Sequence, residues 1–231
     1  MHSLKLPDFE DVLRAANKIA GYSVKTPLLK CDDLSEKLSA EIFVKAECLQ
    51  RVGAFKFRGA YNRLSRLSDD EKKRGVVAYS SGNHAQGVAA SARLLGIDAV
   101  IVMPKDSPKM KLQNTINYGA EVITYDRATE SREEIAAKIS AERGCVVVPS
   151  FEDFYIIAGQ GTAALEAIHQ AKDYGTVFDI FMTPVGGGGL ISGCSLAVKA
   201  LSPNTEIYGV EPEGFNDVQR SLQSGKIESN P

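Results

Sequence analysis

The chain has 231 residues, 44% of them hydrophobic and 24% charged, with a mean hydropathy of -0.13; these values exclude disordered, collagen-like and coiled-coil classes and suit one large domain or two small ones. The 27 Lys and Arg nearly balance the 29 Asp and Glu, leaving a formal charge of -2, so no basic excess points to a nucleic-acid or polyanion partner. No apolar run reaches the roughly 18–20 residues of a membrane span. The opening MHSLKLPDFEDVLRAANK lacks a signal-peptide core, and Cys31, Cys48, Cys145 and Cys194 are too scattered for a zinc site or a disulfide framework. The expectation is a cytoplasmic protein without membrane contact.

In chain order, DFEDVLRAANKIAG (8–21) predicts an amphipathic helix with Asp8 as its N-cap. TPLLK and EIFVKAE are candidate strands, and FRGAYNRLSRLS (57–68) is a second helix. From residue 75 the pattern becomes regular. The runs GVVAYS, DAVIVMP, EVITY, CVVVP, DIFMTPV and EIYGVEP are short, apolar and β-branched without alternation, so they read as parallel strands buried on both faces. Helical stretches separate them, several closed by Gly. Strand-helix-strand repetition gives an α/β fold with helices on both faces of mainly parallel sheets. His169 reads as an ordinary helix residue and His2 as a tail residue. After the last strand, EGFNDVQRSLQSGKIESNP starts a helix and stops, which reads as a truncation.

Three segments carry chemistry. VGGGGLISG (185–193) follows the strand DIFMTPV and enters a helix. Its contiguous Gly186, Gly187, Gly188 and Gly189 expose backbone N–H groups where the helix dipole favours an anion, so the segment predicts a phosphate cup. It is neither a Walker loop nor a G-x-G-x-x-G fingerprint. A nearby G-x-G-x-x-A match at 159–164 follows no strand closely, and its glycines are read as permitting close packing of a helix start. SSGNHAQG (80–87) crowds two hydroxyls, an amide and an imidazole onto one strand-to-helix turn, either as an elaborate N-cap or as a carboxylate site. GAFKFRGAYN (53–62) places Lys56 between two phenylalanines, either as a lysine covering apolar surface or as a desolvated amine suited to a Schiff base. Together they match the needs of a pyridoxal-phosphate enzyme acting on amino acids.

The sequence resembles the serine/threonine dehydratase family of fold-type II pyridoxal-phosphate enzymes, which includes threonine ammonia-lyase, serine racemase and threo-3-hydroxyaspartate dehydratase. KAECLQRVGAFKFRGAYN, SSGNHAQGVA, MPKDSPKMK, ATESREE, AGQGT, VGGGGLISG and YGVEPEG occur in family order over essentially the whole chain. The resemblance implies a larger cofactor-binding domain from 1–68 and 149–231, incomplete at its C-terminus, and a smaller α/β domain over 69–148. It implies that Lys56 holds the cofactor and serves as base, that Phe55 packs on the ring, that Asn83 bonds the ring hydroxyl, and that Gly186–Gly189 wrap the phosphate. Ser80, Ser81, Gly82 and His84 are implied to surround the substrate carboxylate, with Ser81 facing Lys56 across the ring. Arg132 is implied to reach a second carboxylate in relatives that take dicarboxylates. Glu211, Asp217 and the carbonyl of Phe215 are implied ligands for Mg²⁺ or Ca²⁺.

The implied activity is elimination of water from L-threonine or L-serine, giving a 2-oxo acid and ammonia, with serine racemase or 3-hydroxyaspartate dehydratase as the alternative and a truncated, non-catalytic fragment as a reading of another class. The implied partners are a small amino acid and further copies of the chain, as a dimer or tetramer. Two departures stand out: Ala54 replaces the Ser common before Phe-Lys, and the family's partner for the pyridine nitrogen lies in a segment this sequence does not contain.

Overall fold

A computed structural model describes residues 6–230; His2 lies outside the described residues. Helix α1 (Phe9–Ile19) begins with a reciprocal capping box between Asp8 and Asp11. It buries Val12, Ala15 and Ile19, the stripe expected of one helical face. Strands β1 (Leu28–Lys30) and β2 (Phe43–Lys45) pair antiparallel, with α2 (Asp32–Leu38) between them. The sequence pattern misses α2 because no residue in it is buried, so it carries no apolar periodicity. Helix α3 (Lys56–Leu64) follows, then α4 (Asp69–Arg74), capped by Ser68 and Glu71, with acids in its first turn and bases in its last.

The alternating region forms β3 (Val76–Tyr79), α5 (Asn83–Leu95), β4 (Ala99–Pro104), α6 (Lys109–Asn117), β5 (Glu121–Tyr125), α7 (Arg132–Arg143) and β6 (Val146–Val147). Its four strands make a parallel sheet in the order β5-β4-β3-β6. Beyond it come α8 (Phe154–Ala171), β7 (Ile180–Pro184), α9 (Gly189–Leu201), β8 (Glu206–Val210) and α10 (Asp217–Ser224). β7 and β8 pair in parallel with each other. The α/β class is as expected.

Three details correct the sequence reading. Burial on both faces holds for β4, but Ile180, Met182, Tyr208 and Val210 are exposed, because β7 and β8 form a two-stranded ribbon packed on one side only. The CVVVP strand shrinks to Val146–Val147, because the carbonyl of Val148 leaves the ladder to meet His84. The glycines of the G-x-G-x-x-A match do not start a helix. They sit inside α8, where a Cβ at Gly159 would stand 2.6 Å from Gly59 Cα and one at Gly161 would stand 2.5 Å from the Gly193 carbonyl oxygen. Backbone-to-backbone contact at these points lets α8 lie against both α3 and α9. The starts of α3 and α9, which bear Lys56 and the glycine loop, are thereby held against a common support. Gly161→Ala should destabilise the protein by about 1–3 kcal/mol in urea unfolding despite alanine's better helix propensity, because overpacking outweighs it. A neutral or stabilising result would show that this contact is not tight.

Candidate active site

Lys56 opens α3 after Phe55, whose ring lies 5.4 Å from the Lys56 amine. Its backbone is clamped by α5, since a Cβ at Gly87 would stand 3.2 Å from the Lys56 carbonyl. The amine donates a hydrogen bond to the Ser150 carbonyl oxygen at 2.7 Å and has no carboxylate partner among the described residues. Burial alone lowers its pKa to about 8. The turn leading into the helix is strained: Val52 adopts φ 59°, a left-handed conformation unusual for a β-branched side chain and costing roughly 1–3 kcal/mol. Packing of Val52 against Ile19, Phe57, Tyr61 and Ala90 holds it there.

Two residues beyond Lys56, Arg58 is completely buried. Its guanidinium donates to both carboxylate oxygens of Glu47, each at 2.8 Å, and to both of Glu166 at 2.8 and 2.9 Å. Lys45 joins the same Glu166 at 2.7 Å. The two carboxylates hold the Arg58 pKa above its ordinary value despite burial. This network anchors α3 to the β2 end and to α8. Sequence reasoning missed it, although an arginine inside the aromatic run GAFKFRG was a visible signal.

The turn between β3 and α5 carries the second group. Ser80 Oγ accepts the Gly82 amide at 3.2 Å. The Ser81 hydroxyl and the exposed Asn83 amide make no hydrogen bond within the described residues, leaving their donors available. His84 is buried, and its Nε2 lies 3.1 Å from the Val148 carbonyl oxygen. A carbonyl only accepts, so Nε2 carries the hydrogen and Nδ1 presents a lone pair; Nδ1 has no partner. Burial, and then the Lys56 charge, lowers the His84 pKa to about 4, keeping the ring neutral. His84 therefore ties the turn to the sheet rather than offering a positive charge.

The glycine loop completes the constellation. Gly186 and Gly188 have φ of 51° and 83°, a bend that side chains resist, and nothing stands within 4 Å of a Cβ at either. Gly187 lies so close to the Phe151 ring that a Cβ would collide with it, and a Cβ at Gly189 would stand 3.0 Å from Phe151 Cβ. Phe151 is thus the floor of the loop, a role no sequence motif marked. α9 begins at Gly189, where its first-turn amides lack intrahelical acceptors. Backbone donors without side chains, on a helix N-terminus, fit a phosphate. Beside them, a desolvated lysine fits an aldehyde, so the chain's residues fit pyridoxal phosphate.

The outlying candidates sit as follows. Arg132 starts α7, pairs with Glu133 at 2.7 Å, and lies over the Tyr79 ring at 5.3 Å, one residue before Ser80. Glu211 accepts the amides of Val218 at 3.2 Å and Gln219 at 2.9 Å, so its carboxylate caps α10. Asp217 opens that helix, and Phe215 is exposed before it. The described residues contain no cluster of three or more His, Cys, Asp or Glu able to hold a metal ion.

Residues 19–231 match the family described as pyridoxal-phosphate dependent enzyme. The chain belongs to that family. The L-threo-3-hydroxyaspartate ammonia-lyase of Saccharomyces cerevisiae is 49% identical over 96% of this chain and 67% of its own length. The solved maize serine racemase superposes with a TM-score of 0.93 at 39% identity, covering 98% of this chain and 68% of that one. The solved threonine deaminase of T.th. gives 0.89 at 45% identity, covering 96% and 70%. The chain spans about two thirds of the length of these relatives. It is a fold-type II pyridoxal-phosphate enzyme whose relatives are ammonia-lyases, dehydratases and racemases. Among the described residues no helix is long and apolar enough to cross a membrane.

Two pH effects follow. Capture of pyridoxal phosphate by Lys56, trapped with borohydride and counted by mass spectrometry, should rise through an apparent pKa near 8; a rise only near 10.5 would contradict the burial. The depressed His84 pKa means that the unfolded chain binds the extra proton first. Its contribution to stability is therefore complete above the ordinary pKa of about 6.5 and falls by on the order of 3 kcal/mol as pH drops toward 4. Proton uptake on unfolding near pH 5 should decrease by about one in His84→Gln.

Proposed function

We propose that the protein is an ammonia-lyase that eliminates water from a β-hydroxy amino acid, L-threonine or L-serine, releasing a 2-oxo acid and ammonia. The observation that carries this reading is the shared support of Lys56 and His84. The Lys56 amine and the His84 ring are bonded to carbonyls of one short segment, at Ser150 and Val148. A helix N-terminus suited to a carboxylate thus sits beside a desolvated amine. When bound, pyridoxal phosphate supplies an electron sink for the substrate α-carbon.

Lys56 is assigned as the residue that holds the cofactor and then takes the α-proton at Nζ. With a pKa near 8, roughly one amine in ten is unprotonated at neutral pH, against far fewer for an ordinary lysine. Gly186–Gly189 are assigned to the phosphate, Phe55 to the ring face and Asn83 to the ring hydroxyl. Ser80, Ser81 and Gly82 are assigned to the substrate carboxylate, with His84 holding their turn in place. Ser81 is further assigned proton transfer on the face opposite Lys56. We also assign residues 69–148 to a smaller domain, in keeping with a four-stranded sheet contained wholly within them, and 1–68 with 149–231 to the larger one.

A second substrate, 3-hydroxyaspartate, is favoured by Arg132. Its guanidinium rests on Tyr79, next to the Ser80–Ser81 turn, where it suits a second carboxylate.

Initial rates with L-threonine, L-serine and L-threo-3-hydroxyaspartate, with chiral analysis of recovered serine, test the reading. Release of 2-oxo acid from the first two is expected, and failure with all three would overturn it. A selective loss of 3-hydroxyaspartate turnover in Arg132→Gln would support the second substrate. Lys56→Ala should lose the borohydride-trapped adduct and turnover, at least ~1,000-fold in rate. Ser81→Ala should suppress racemisation more than elimination, and equal loss of both would remove its opposite-face role.

A further inference from the structure

The face that α6 turns toward α5 contains a charge that nothing above uses. Asn114 of α6 donates from Nδ2 to Gln86 Oε1 of α5 at 3.1 Å, fixing how the two helices lie together. One turn earlier, Lys111 of α6 meets Gly82, the N-cap of α5: a Cβ at Gly82 would stand 3.2 Å from Lys111 Nζ. The contacts run in step, residue 111 with 82 and residue 114 with 86, so the position of the amine follows from the packing of the helices. Lys111 is half-buried, and it has no hydrogen-bond or ion-pair partner among the described residues. Asp106, five residues before it in the chain, is engaged elsewhere, paired with Arg127 at 2.8 Å. An unpaired ammonium thus stands beside the turn where Ser81 and Asn83 have free donors and where burial disfavours a charged His84.

We propose that Lys111 is the cationic partner of the substrate α-carboxylate, an assignment that rests on the function proposed above. The turn by itself offers neutral donors and a helix dipole; Lys56 is assigned to the cofactor and Arg132 is paired with Glu133, which leaves Lys111 as the unpaired charge at Gly82 among the described residues. The absence of a side chain at Gly82 lets the amine approach the turn closely, since a Cβ there would crowd it. The role belongs to substrate binding and leaves cofactor attachment to Lys56 and the glycine loop.

The test uses the pyridoxal-phosphate-loaded protein and two amines that cannot lose a β-hydroxyl, glycine and glycinamide, each titrated against the visible absorption band of the cofactor. Both present an amine, and only glycine presents a carboxylate. In Lys111→Gln the glycine Kd should weaken roughly tenfold or more, the loss expected for one charge-assisted hydrogen bond, while the glycinamide Kd stays put. Lys111→Arg should recover most of the difference. Lys109→Gln, which removes the same charge from an exposed position on the same helix, should leave both unchanged. Equal weakening for glycine and glycinamide, or a glycine Kd within about twofold of wild type in Lys111→Gln, would overturn the assignment and leave the proposed function standing. A wild-type protein whose band responds to neither amine would overturn the function and Lys111's role together.

Discussion

A parallel strand that stops after two residues leaves its following carbonyls without a ladder partner, and in this protein the candidate active site is assembled on those carbonyls. Val148 still donates its N–H to β3, but its oxygen turns to His84 Nε2, and the Ser150 oxygen receives the Lys56 amine. Phe151, next in the chain, lies beneath Gly187 and Gly189. One four-residue stretch therefore sets the positions of the starts of α3, α5 and α9. Because buried backbone acceptors must be satisfied, each of these contacts also answers a requirement of the sheet end itself.

The chemistry of Lys56 depends on what this arrangement withholds. A carboxylate near the amine would raise its pKa and lock in the charge. The structure supplies a neutral carbonyl instead, and burial brings the value down to about 8, a differential of about 3 kcal/mol against the charged form. Two residues further along α3, the carboxylates of Glu47 and Glu166 are held by Arg58 and Lys45. That network carries its own desolvation cost, and it keeps acidic groups occupied while fixing α3. Glycine contacts between α8 and its two neighbouring helices supply the remaining rigidity, since they allow close backbone approach with no side chain to rearrange.

Local signals in the sequence were read correctly where the interaction spans a few residues. The Asp8 cap, the strand-helix alternation after residue 75, and a glycine loop between a strand and a helix are all short-range features, and each is present. The misreadings also share a cause. The G-x-G-x-x-A glycines were placed at a helix start because their packing partners, Gly59 and Gly193, are distant in sequence. β7 and β8 were read as doubly buried because an apolar strand does not reveal how many neighbours its sheet has. α2 left no trace, since a helix that buries nothing shows no periodicity.

By itself the sequence determined the α/β class, the family and the residue types available for chemistry, because these follow from order and spacing along the chain. Only the tertiary structure decided which groups surround those residues. Lys56 and Ser150 are 94 positions apart, and His84 and Val148 are 64 apart. The desolvation that unlocks the lysine, the tautomer that keeps the histidine neutral, and the capping bonds that occupy Glu211 come from neighbours brought in by packing. A pKa is a property of a surrounding volume, and no one-dimensional motif encodes that volume.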